Sequence, residues 1–120
     1  MLRSVALIVI SLCSTPAFAD GFAPIREKDR FLSLVEGREL RLPFYGIRLR
    51  LSPDGGIRGS ALGWDLTGKW SWKDGYFCRT IDWSGTEIPF NCQLVEARGG
   101  EALRFTVDRG AGDSASFQIR

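Results

Sequence analysis

The chain has 120 residues, 16 Lys or Arg against 14 Asp or Glu, a formal net charge of +2 and no histidine. Such a balance leaves no electrostatic footprint for nucleic acid, and the missing imidazole excludes the common serine and cysteine triads. With no histidine and only three cysteines, a transition-metal site would need carboxylates to complete it. No catalytic residue, metal or cofactor is therefore expected.

Residues 1–19 read as a cleavable secretory signal. Arg3 supplies a basic start, Val5 to Leu12 an apolar run, Pro16 a helix break, and Ala17 and Ala19 the small residues a signal peptidase requires. The run is far shorter than the roughly 20 residues that span a bilayer. Leu12 precedes Cys13 where a lipidation signal would carry a small residue, so Cys13 is expected to leave with the leader. Cleavage after Ala19 leaves one domain, residues 20–120, with no membrane span and a periplasmic or secreted location.

Residues 20 to 25 read as a lead-in. From Arg26 to Glu36 the apolar Phe31, Leu34 and Val35 recur at helical spacing and Gly37 stands where a helix would end. The period then becomes two. Leu40 and Leu42 form one strand, and Ile47, Leu49 and Leu51 another. Ser52-Pro53-Asp54-Gly55-Gly56 turns the chain back. A register of Leu51 on Ile57, Leu49 on Gly59 and Ile47 on Ala61 sets large residues against small ones inside, and it faces Arg50 with Arg58 outside.

Gly63 and Lys73-Asp74-Gly75 bracket Leu66 to Trp72. Tyr76 to Ser84 and Ile88 to Ala97 then flank a Ser84-Gly85-Thr86 loop. Cys78 and Cys92 are equally far from Gly85, which makes them cross-strand neighbours close enough to bridge. An exported compartment permits that disulfide, whose closed loop of about 15 residues is worth about 3 kcal/mol. Ala102 to Asp108 and Ser114 to Ile119 complete the pattern, with Phe117 and Ile119 matched to Phe105 and Leu103. The fold expected is mainly β: about eight strands in an antiparallel meander with one short N-terminal helix. A small lipocalin-like barrel is preferred to a sandwich, because closure removes exposed edges.

Asp65, Asp82, Glu87, Asp108 and Asp113 sit at turns or alternate with apolar residues, as solvated strand positions do. The glycines of Gly56 to Gly63 follow a hairpin turn and open no helix, so they do not make a phosphate-cradling loop. Two candidate binding surfaces remain. Trp70, Trp72 and Trp83 belong to an aromatic-rich middle that either fills the interior or lines a cavity for a small apolar ligand. Arg48, Arg50 and Arg58 share one outer face and would meet an acidic envelope partner unless Glu39 and nearby acids neutralise them.

The segments Gly68 to Arg79, Trp83-Ser84-Gly85, Asn91-Cys92-Gln93, Arg104-Phe105-Thr106 and Asp108 to Ser114, with Phe31 to Arg38, resemble a group of short exported bacterial proteins. Many of these carry the label dihydrodipicolinate reductase. That label implies a nicotinamide-dependent oxidoreductase with a Rossmann domain. This chain has neither the alternating strand-helix pattern nor the glycine fingerprint, and no residue of that enzyme's motifs can be matched to a position here. The resemblance brings no site residues. The function expected is a non-enzymatic envelope binding or accessory module, against an oxidoreductase of the labelled kind or a purely structural envelope protein.

Overall fold

The computed structural model describes residues 4–11 and 19–120. Of the residues on which the expected leader rests, Arg3, Leu12, Cys13, Pro16 and Ala17 lie outside the described residues. Val5, Leu7, Ile8, Val9 and Ile10 are exposed. Among the described residues no helix is long and apolar enough to cross a membrane.

Eight strands follow one another and close into an antiparallel barrel: β2 (Leu40–Leu42), β3 (Ile47–Leu51), β4 (Gly56–Ala61), β5 (Trp64–Lys73), β6 (Tyr76–Trp83), β7 (Thr86–Arg98), β8 (Ala102–Thr106) and β9 (Ser114–Ile119). Each pairs with its chain neighbour. The last meets the first through Leu40 opposite Ile119 and Arg41 opposite Gln118, reinforced by mutual backbone bonds between Glu39 and Arg120. The expected register of β3 on β4 holds throughout, including Arg50 opposite Arg58. Gly59 has a steric reason: a Cβ there would stand 1.9 Å from the Arg48 carbonyl oxygen, so only glycine lets these strands approach.

Three details differ from the sequence reading. The lead-in contains a strand, β1 (Ala23–Ile25), which pairs with Val95 to Ala97 of β7 beyond the point where β6 begins. Three residues with Pro24 among them show no alternation to read. At the other end of the chain, Phe117 faces Leu103 and Ala115 faces Phe105. The register of β8 on β9 is therefore two residues from the expected one, although the rings of Phe105 and Phe117 still meet edge-on at 5.6 Å. Finally, the β6–β7 turn is Ser84-Gly85 alone, with Thr86 already paired to Trp83.

Helix α1 (Lys28–Val35) plugs one end of the barrel. Phe31 is fully buried and its ring meets those of Trp70, Trp72, Phe77 and Phe105 at 4.9–6.3 Å. The turns joining β3 to β4, β5 to β6 and β7 to β8 lie at this closed end. The turns joining β2 to β3, β4 to β5, β6 to β7 and β8 to β9 surround the opposite end, which has no helix over it.

Candidate functional site

Toward that uncovered end the interior holds a cavity of about 300 Å³, at the small end of the range for small-molecule sites. Its walls are the inward rows of the strands, among them Leu49, Ile57, Leu66, Phe77, Ile81 and Phe117. Two polar side chains interrupt this apolar surface from adjacent strands. Arg79 occupies the inward row of β6 between Phe77 and Ile81, and Gln93 occupies that of β7, opposite Phe77. They are diagonal neighbours across the ladder.

Arg79 owes its setting to an irregularity. Between the Arg79–Asn91 and Ile81–Ile88 pairs, β7 carries Pro89 and Phe90 against the single Thr80 of β6. Proline cannot donate to the ladder, so a bulge suits it, and its freed carbonyl accepts from Arg79 Nη1 at 2.7 Å. Among the described residues no carboxylate pairs with Arg79. Burial draws its guanidinium below the ordinary value, but it remains charged at any physiological pH. Gln93 is 8 % exposed and its carboxamide makes no hydrogen bond to another described side chain or backbone group. No fully buried side-chain nitrogen or oxygen lacks a partner among the described residues, so the Gln93 amide opens on accessible space, and it and Arg79 both line the cavity with donors to spare. The exposed Asp113 stands at the mouth beside Ser114, whose hydroxyl is engaged with Thr106 at 2.7 Å.

The same row pattern that hides Arg79 also reveals it. A charge spaced by two from Phe77 and Ile81, and an amide spaced by two from Val95, are polar residues in apolar rows. Sequence reasoning that sorted this region by aromatic content passed over both.

The three tryptophans have their indole donors engaged. Trp70 donates to the Ser52 carbonyl at 2.9 Å, Trp72 to that of Arg26 at 2.9 Å and Trp83 to that of Ala61 at 3.0 Å. Trp70 and Trp72 pack under α1 at the closed end, and none of the three lines the cavity wall. Trp83 shares the inward row of β6 with Arg79 and Ile81 and packs against the core. Cys78 and Cys92 form the expected disulfide across β6 and β7 on the outer side, with Cys78 buried.

Arg48, Arg50 and Arg58 come together on the exposed outer face of β3 and β4, joined by Arg41 opposite Arg48. Glu39 answers part of this charge. It pairs with Arg41 at 2.6 Å and Arg50 at 3.5 Å, and the bond from Arg41 holds its carboxyl below the ordinary range. Arg48 and Arg58 have no carboxylate partner among the described residues. No cluster of three or more acidic or cysteine side chains suited to a metal occurs among the described residues. Compared with known proteins, the chain matches no family model, no curated protein and no solved structure, so its own geometry is the ground for any functional reading.

Proposed function

We propose that this barrel is a non-enzymatic extracytoplasmic binding protein for a small apolar molecule with one anionic end. The observation that carries the reading is the pairing of Arg79 with Gln93. A guanidinium without a carboxylate and an amide without a partner face an otherwise hydrocarbon-like space. A carboxylate or sulfonate head would satisfy both through charge-assisted hydrogen bonds, while its chain would fill the apolar interior. The disulfide and the apolar run from Val5 to Leu12 support export. Trp70, Trp72 and Trp83 then serve the ligand indirectly, and Trp83, on the row of Arg79, is the one placed to report occupancy by fluorescence.

The test is calorimetric titration of the purified protein with medium-chain fatty acids and with alcohols of equal length. The carboxylates are expected to bind at least tenfold more tightly. Arg79→Met should remove that preference while leaving the alcohols unchanged. Equal affinity for acid and alcohol in the native protein would sink the reading. Saturable binding of a nicotinamide cofactor with turnover of dihydrodipicolinate would favour the oxidoreductase instead.

A further inference from the structure

Outside the leader, every large hydrophobic side chain that the barrel leaves exposed lies toward its uncovered end: Phe44, Tyr45, Leu62, Trp64 and Phe90. Four of the five form one lip. Phe44 and Tyr45 occupy the β2–β3 turn with their rings 5.5 Å apart. Leu62 is at the tip of the β4–β5 hairpin, and Trp64 begins β5. The two turns are tied together, since Leu62 donates its backbone N–H to the Gly46 carbonyl at 3.3 Å. Phe44 is 91 % exposed and Leu62 66 % exposed.

The conformation of Leu62 points the same way. Three two-residue hairpin turns in this barrel place both central residues at positive φ: Asp74-Gly75, Ser84-Gly85 and Leu62-Gly63. Such turns ordinarily take Asn, Asp or Gly first. The other two carry a small polar residue there, whereas this one holds a bulky leucine at φ 53°, a conformation that side chains of its kind avoid.

The charges around the lip are divided. Arg41 and Arg48 flank it on the outer face of β2 and β3, with Arg50 and Arg58 behind them. Asp82 and Glu87 sit on the next hairpin, β6–β7, whose Ser84 bonds the Asp65 carbonyl, and Asp65 itself adjoins Trp64. The acidic side thus borders the β4–β5 end of the lip and the basic side its β2–β3 end. We infer that the Phe44–Tyr45–Leu62–Trp64 lip docks on an anionic lipid surface, with Arg41 and Arg48 against the headgroups. Convex apolar turns insert between lipids, tyrosine and tryptophan favour the interface, and basic side chains beside them add attraction to anionic headgroups. The docked barrel would hold its mouth at the surface from which an amphiphile could enter. Lipid docking goes beyond the cavity reading and does not require it.

Sedimentation of the purified protein with phosphatidylglycerol vesicles and with phosphatidylcholine vesicles tests the inference. Binding to the anionic vesicles is expected to exceed binding to the neutral ones. The double substitution Phe44→Ser with Leu62→Asn should weaken it at least tenfold. Asn tolerates the left-handed turn, so this variant should keep its circular dichroism and its fatty-acid affinity in solution. Arg48→Glu should abolish the anionic preference. Unchanged vesicle binding by the double variant would overturn the inference, as would absence of binding by the native protein or a lip-dependent dimer in its place. Loss of fatty-acid binding with vesicle binding intact would count against the cavity reading alone.

Discussion

Cys78 stands opposite Cys92 because β7 places Pro89 and Phe90 against the single Thr80 of β6. A regular ladder running from the Ser84-Gly85 turn would set Cys78 against Asn91 instead. The bulge thus aligns the sulfurs on the outer side and also supplies the Pro89 carbonyl that receives Arg79. One irregularity serves both the covalent staple and the cavity.

Replacing both cysteines with alanine should therefore lower stability by about 3 kcal/mol, the loop-closure value for a separation near that of this bridge. Denaturant midpoints of the native and double-alanine proteins measure it. Reductant should shift the native midpoint toward that of the variant and leave the variant where it is.

A regular dependence on chain length should mark the cavity. Each methylene buried adds about 0.8 kcal/mol, or roughly fourfold in affinity, so tightening should continue along a fatty-acid series until about 300 Å³ is filled and then stop. Asp113→Asn should improve carboxylate binding modestly by removing a like charge from the mouth, with little effect on alcohols. Calorimetry across the series checks both expectations.

The start of the described barrel should respond to acid. Arg104 bonds Asp20 at 2.5 Å while also bridging Glu96, and Phe22 packs beneath its guanidinium. The bond from Arg104 lowers the Asp20 pKa from its ordinary 3.8. A carboxyl lowered on folding stabilises fully above its unfolded value and loses that contribution as pH falls through the folded one. Asp20→Asn should accordingly be less stable than the native protein at neutral pH, with the gap closing as pH falls below the ordinary aspartate value and through the lowered one. Denaturation at a series of pH values shows whether it closes.

Gly59→Val should destabilise the barrel by more than the 1–3 kcal/mol of ordinary overpacking, because its Cβ would meet backbone rather than a movable side chain. Gly63→Ala, where nothing lies within 4 Å of an added Cβ, meets only the positive-φ penalty. Comparing the two midpoints separates close approach from conformational freedom.

Much of this fold was legible where local chemistry and period agree. The two-residue alternation from Leu40 onward, the turn at Pro53 to Gly56 and the spacing of Phe31, Leu34 and Val35 led to the strands, the β3–β4 register and the helix. Strand β1 was not legible, because three residues carry no period, and its partner lies some 70 positions away on β7. The β8–β9 register was misread by two residues because a shift of two keeps every side chain on the same face, so the inward pattern fits either pairing. In the site, Cys78 with Cys92 and the arginine face could be read ahead. The use of the tryptophans could not: whether an aromatic fills a core or borders a void depends on which neighbours reach it.

By itself the order of residues determined the succession of the eight barrel strands and their turns, since each follows from interactions between nearby residues, and it left Cys78 and Cys92 as the two cysteines of the β domain. Tertiary closure decided the rest. The meeting of β2 with β9 curled the sheet into a barrel, turning Arg79 and Gln93 inward to one cavity. Capping by α1 left the other end uncovered, with its exposed aromatics gathered there. Those outcomes depend on how distant strands share one interior, and no local pattern encodes where that interior is filled and where it is empty.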